Sequence, residues 1–225
     1  MSNPQKSTKA ATRRAEILAA ARQMFVSRGT ERTTMAEIAA RIGVAEGTVY
    51  LSFASKRDLM VAVVVDWFGE ITDETAHDLD AIAAPADRLR FLIQRHLDVI
   101  LRHSELYLMF IREIRASADY RDSDGRALNR RYTDLLRQTV AAIAPADAPP
   151  PSILRDLIYG GVEHVAWSAI LRGEAATVDT AVLAGQLART YGRALGLSDA
   201  PVDLDRRLAR IERALGISDS DAHPH

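Results

Sequence analysis

The chain contains no cysteine, which removes disulfides, thiolate metal sites and cysteine nucleophiles together. No apolar run approaches the roughly 18 residues needed to span a bilayer. The opening stretch, MSNPQKSTKAATRR, lacks the apolar segment of a secretory signal. A cytoplasmic protein with no membrane partner is therefore expected. HExxH, GxSxG and a phosphate-cradling glycine loop are all missing, as are a strand pattern and an internal repeat. What is present is helical periodicity over 225 residues, enough for a packed core in one or two domains.

The net charge of −1 hides an asymmetry. Residues 1–57 carry ten Lys or Arg against four Glu, a balance of +6 that leaves −7 for the remainder. A basic head on an acidic body suits a nucleic-acid-binding module joined to a domain that does not touch nucleic acid.

The head is organised by residues 33–59, TTMAEIAARIGVAEGTVYLSFASKRDL. Thr34 precedes Glu37 by three positions, the spacing of a capping box. Met35, Ile38, Ala39 and Ile42 mark the inner side of a helix of barely two turns, and Gly43 supplies its left-handed stop. A second short helix opens near Glu46, with Val49 and Phe53 turned inward. Ser55 and Asp58 form a second box, starting a long helix at Lys56. Two short helices at a glycine corner make a helix-turn-helix, whose second member enters the major groove.

The joint spacing of Phe25, Gly29, Thr34, Ile38-Ala39, Gly43-Val44, Gly47-Thr48, Tyr50-x-x-Phe53 and Lys56-x-x-Leu59 resembles the N-terminal domain of TetR-type transcriptional regulators. The likeness runs without gaps from about residue 13 to about residue 60. It implies an all-α fold: a three-helix DNA-binding domain followed by a helical bundle for ligand binding and dimerisation. It also implies base contacts from positions such as Glu46, Gly47 and Tyr50, and phosphate contacts from Thr34, Thr48, Tyr50 and Lys56. Three positions depart from the pattern. Ala45 stands where Ser is usual, Glu46 where Lys or Gln is common, and Leu51-Ser52 where an aromatic-His pair is frequent. These nine positions are the expected DNA-binding set, and the departures make any borrowed operator sequence unsafe.

The expected layout is a disordered basic arm over 1–12, the DNA-binding domain over 13–57 and the ligand-binding and dimerisation domain over 58–200. An appended helix over 201–217 and a disordered tail over 218–225 complete it. In the body, helices are expected over 56–83, from Asp87 to a corner at His103-Ser104, over ELYLMFIREIRAS, over 120–144, from a Ser152 cap to Arg172, and over 178–195. Ala181, Gly185, Ala188 and Gly192, beside Leu183, Leu187 and Tyr191, give the last of these an edge of nearly bare backbone. With Gly160-Gly161, Val162, Ala166 and Ala169 on the helix before it, the resemblance implies a four-helix interface between two copies.

Candidate groups lining an effector site are Trp67, His96, Tyr107, Phe110, Tyr132, His164, Trp167 and Ser168. His96 lies in line with Leu89, Ile93 and Ile100; His164 and Ser168 lie in line with Leu157 and Gly161. A polar group on an apolar stripe needs a partner, either a ligand or a satisfied core neighbour. The segment DLIYGGVEHVAWSAI faintly resembles fatty-acid-responsive regulators of this family that sense acyl-coenzyme A. The functional expectation is a dimeric regulator, a repressor at the nucleoid, that binds a palindromic operator and is released by a mostly apolar effector. No cofactor, catalytic residue or metal site is expected. Two other readings stand beside it: a DNA-bound adaptor that contacts another protein, and an enzyme using Asp73 with His77 as a metal pair or Asp134 and Glu163 as acids.

Overall fold

Side chains fix four of the helix starts in the computed structural model, which describes residues 4–197. Thr34, Ser55, Ser123 and Asp179 each accept a hydrogen bond from a first-turn backbone N–H. Such a cap satisfies donors that the helix itself cannot. Two further helices begin with proline in the first turn, at Pro85 and Pro151, where the fixed φ suits a helix start and the missing N–H costs nothing. This places two starts earlier than expected from Asp87 and Ser152.

The described residues form nine α-helices and no strand. The head comprises α1 (Pro4–Arg28), α2 (Met35–Arg41) and α3 (Glu46–Ser52), and α4 (Lys56–Asp80) leads out of it. The body adds α5 (Pro85–Arg102), α6 (Ser104–Met109), α7 (Asp124–Ala141), α8 (Pro151–Leu171) and α9 (Thr180–Ala194). Helix α1 overturns part of the expected disordered arm, because the chain is helical from Pro4 onward. Proline at the first position and the Lys-, Gln- and Ala-rich sequence behind it favour that outcome. The appended helix and the tail lie outside the described residues.

In the head, Ile17, Ala21, Met24 and Phe25 of α1 pack with Met35, Ile38, Ala39, Val49 and Phe53. The first half of α4 joins this core through Leu59, Met60, Val63 and Val64. Its second half, through Trp67, Phe68, Ile71 and Leu79, belongs to the body. One rigid rod of 25 residues therefore serves both units, at about 1.5 Å per residue. The boundary drawn at residue 57 falls inside it. In the body α5 is central, packed by α7, α8 and α9, with Leu89, Leu92, Ile93, Leu97 and Ile100 all fully buried.

Two expected helices are broken. The one over ELYLMFIREIRAS leaves α-geometry after Met109 and runs as a π-helical turn over Phe110–Arg115. The one over 120–144 splits at Ser123, whose hydroxyl caps α7, leaving Tyr120 in a separate 3-10 turn, Ala118–Asp122. Where the pieces meet, Gly125 lies directly against Ile114, with no room for a Cβ.

Candidate nucleic-acid interface and effector cleft

The corner between α2 and α3 is built by local chemistry. Thr34 Oγ1 accepts from the Glu37 N–H at 3.2 Å, and the Thr34 N–H donates to Glu37 Oε2 at 2.8 Å, so the box is reciprocal. The Thr34 hydroxyl and N–H, with Arg28 behind them, hold the Glu37 carboxyl below its ordinary value. Gly43 takes φ +68°, which a side chain would resist, and Val44 turns inward. Helix α3 starts at Ala45 with no side-chain cap, so the departure from Ser leaves its first amides open to another acceptor. Val49 and Phe53 anchor α3 from below, and Arg14 lies 4.3 Å over the Phe53 ring.

This anchoring leaves Glu46, Gly47, Tyr50 and Leu51 facing outward. Tyr50 is 47% exposed and Leu51 90%, large apolar surface that nothing among the described residues covers. Thr34 and Ala45 are exposed; Thr48, Ser52 and Lys56 are half-buried. None of the nine expected positions is buried. The Thr34 hydroxyl also donates to Glu37 Oε2, so the box already occupies it.

The body holds a cleft of about 680 Å³ walled by α5, the π-helical turn, α7 and α8. Four expected residues line it: His96, Tyr107, Phe110 and Tyr132. Four do not. Trp67 is fully buried against Phe68 and His103. His164 is exposed on the outer side of α8, and Trp167 and Ser168 are half-buried away from the cleft. The reason lies in α8, which is apolar on two sides. Leu154, Ile158, Tyr159, Val162 and Ala166 form the inner one. The stripe Leu157, Gly161, His164 and Ser168 is the outer one, and Leu157 is 59% exposed. Periodicity alone cannot say which stripe faces in. Phe68, Tyr159 and the other arginines of the mouth beside Arg115 carry no signal in the expected set; Tyr159, four residues before Glu163, is the one the sequence offers.

At the centre of the cleft His96 stacks on Tyr159, ring centroids 4.1 Å apart, and its Nδ1 lies 3.4 Å from the Tyr132 hydroxyl. Glu163 Oε1 lies 3.7 Å from His96 Nε2 and accepts from Arg115 at 3.2 Å. Burial lowers the His96 pKa, against the pull of Glu163, and keeps the ring neutral. Burial pushes Glu163 upward, but His96, Arg115 and Tyr107 outweigh it and hold the carboxyl below its ordinary range. The mouth carries Arg115, Arg126, Arg130, Arg137 and Arg155 against Asp134, Asp156 and Glu163. Each acid already pairs with one arginine, and Arg130 has no acidic partner among the described residues. Asp73 is held by Arg131, and no His/Asp/Glu group suited to a metal occurs among the described residues.

A capped helix-turn-helix with an outward-facing second helix, joined by one rod to a helical body with an internal cleft, defines a DNA-binding regulator of two parts. Residues 17–63 match the family model for bacterial regulatory proteins of the tetR family, and residues 83–167 match the tetracyclin repressor-like C-terminal domain. The chain belongs to the TetR family of transcriptional regulators. It is 25% identical over 172 residues to the transcriptional repressor KstR2 of Mycolicibacterium smegmatis, spanning 74% of this chain and 82% of that one. Its fold matches FadR of Bacillus subtilis in complex with stearoyl-CoA at a TM-score of 0.64, with 18% identity over 79% of this chain and 96% of that one. It also matches AibR in complex with isovaleryl coenzyme A and operator DNA, at a TM-score of 0.51 and 22% identity over 66% and 82%.

Proposed function

We propose that the chain is a homodimeric repressor, released from a palindromic operator by an anionic amphipathic effector of the coenzyme A thioester class. The observation that carries this is α4, which begins at Lys56 beside the helix-turn-helix and passes Phe68 in the wall of the cleft. A ligand that binds one setting of that rod better than another changes the placement of the heads. In the head, Glu46, Gly47, Tyr50 and Leu51 meet base edges, while Thr34, Ala45, Thr48, Ser52 and Lys56 flank the phosphates. Gly47 permits close approach, and the Glu46 carboxylate is suited to accept from cytosine N4.

Support for the effector class comes from the cleft: an aromatic floor beneath five arginines and three acids, leaving two positive charges in excess. Arginine pairs well with phosphate, and the ligands in the FadR and AibR complexes, stearoyl-CoA and isovaleryl coenzyme A, are both coenzyme A esters. Support for the dimer comes from Ile153, Leu157, Leu171 and Val182, large apolar groups left exposed on α8 and α9. Fluorescence anisotropy on a selected operator, titrated with stearoyl- and isovaleryl-coenzyme A, tests the effector class. Loss of operator binding with either ester is expected; unchanged binding at saturating levels of both would contradict it.

A further inference from the structure

The corner where α4 turns into α5 holds a groove of about 500 Å³, lined by Ala81, Ile82, Ala83, Ala84, Phe91 and the polar rim of Asp87, Arg90 and Gln94. Arg88 fixes the corner by donating to the carbonyls of Leu79 and Ile82 at 2.8 and 2.9 Å. The three alanines are exposed, and Ile82 and Phe91 are half-buried. The groove lies where the described chain comes to its end. Helix α9 starts beside the far end of α5, where Thr180 donates to Asp98 at 2.8 Å and accepts from Arg102. It packs along α5 and so runs back toward Pro85. Its 15 residues cover about 22 Å, and the stretch from Asp98 to Pro85 covers about 20 Å. Gly196, at φ +75°, then turns the chain off the helix axis, and the Leu197 N–H closes the turn on the Gly192 carbonyl at 2.8 Å.

From Leu197 the next helical pattern is close at hand. Pro201 follows four positions on, a reach of at most about 14 Å, and suits a helix start. Behind it Leu204, Leu208, Ile211 and Leu215 recur on one side of a helical period, with Arg206, Arg207, Arg210 and Arg213 among the remaining positions. Charge agrees with that placement. Of the acids on the last turns of α4, Asp73 pairs with Arg131, and Glu74 and Asp78 pair with Arg95. Asp80, the last residue of α4, is exposed and has no basic partner among the described residues. Negative charge is disfavoured at a helix C-terminus, so a cation is wanted there. The exposed Leu171 and Val182 lie at the other end, by the start of α9. We propose that residues 201–217 fold back as a helix onto the α4–α5 corner of their own subunit, with the leucine-isoleucine stripe on Ala83, Ala84 and Phe91 and an arginine toward Asp80. Docked there, the segment ties the far end of α4 to the end of α9.

The absence of cysteine makes a direct test available, because any pair introduced into the full chain is the only pair present. Ala83→Cys is combined with Leu208→Cys on the stripe, and separately with Arg206→Cys on the opposite side of the same period. Ala83 is exposed, so neither double variant disturbs the core. Under mild oxidation the Leu208 pair is expected to close within one chain at least about tenfold faster than the Arg206 pair, since docking raises its effective concentration above that of a free tether. Sizing on denaturing gels and peptide mass mapping identify the link. Equal rates for the two pairs show a tether with no docked face and overturn the proposal. So does a failure of both pairs to close. A link that joins two chains overturns it as well, by assigning the groove to the second copy's segment.

Discussion

Thr34 holds the entry of α2 closed, through a hydrogen bond from the Glu37 N–H and one back to the Glu37 carboxylate. Thr34→Ala removes the cap, and an N-cap of this type contributes about 1 kcal/mol. A fall in thermal midpoint of that order, seen by circular dichroism, is the expected result; an unchanged midpoint would show that the box does not hold the corner. On α3 the exposed pair Glu46 and Leu51 should set operator preference. A carboxylate accepts from cytosine N4, and an apolar side chain packs on a thymine methyl. Glu46→Gln should relax the requirement for cytosine in sites selected from random DNA, with total affinity less affected. In the body, His96 links pH to stability. Its folded pKa lies below the ordinary 6.5, so the unfolded chain takes up the proton more readily. Stability is full above that value and declines as pH falls through the lower folded one. His103, also lowered by burial and by Arg22, titrates in the same direction. Urea unfolding of wild type and His96→Gln should therefore show a steeper acid decline in wild type; parallel profiles would count against a neutral His96.

Besides α4, the π-helical turn Phe110–Arg115 touches both ends of the regulator. Phe110 lines the cleft, Arg115 pairs with Glu163, and Glu113 pairs with Arg57, next to Lys56 at the start of α4. The Arg57–Glu113 pair is largely exposed on the arginine side, so its loss should barely change stability. Arg57→Ala should instead weaken the coupling between effector binding and operator release, measured as the shift in operator affinity with saturating ester. A full shift in the variant would assign the coupling elsewhere. Gly125→Ala would press a methyl into Ile114 at the junction of this turn with α7, and overpacking of that kind costs roughly 1–3 kcal/mol. The same contrast explains what could be read from the chain. Residues 33–59 announce their structure because every signal there is local: a cap three positions from its partner, a glycine at a left-handed corner, an inward pair four apart. The π-turn has no such signature, since the run from Leu106 to Ile111 is apolar nearly all round and fixes no period. The cleft was half legible. His96 and Tyr132 sit on stripes with a single inner side, whereas α8 presents two apolar sides, and His164 lies on the outer one.

At the scale of the whole molecule, that outer side is the strongest argument for a second copy. Leu157 and Val182 expose apolar surface that the described part of the subunit does not cover. Of the small residues expected at an interface, Gly192 is buried, with Leu197 its nearest neighbour. Leu157→Glu should convert dimer to monomer in sedimentation velocity and abolish operator binding while the helical signal persists; a variant that remains dimeric would move the interface elsewhere. Two heads fixed by such an interface meet successive major grooves on one side of a duplex, about 34–36 Å apart or a multiple of it. Selection of bound sequences from random double-stranded DNA by the full chain tests that arrangement most directly. The account predicts a palindrome with half-sites at that spacing, lost on Tyr50→Ala. Recovery of no enriched sequence, or of a single unrepeated half-site, would contradict it.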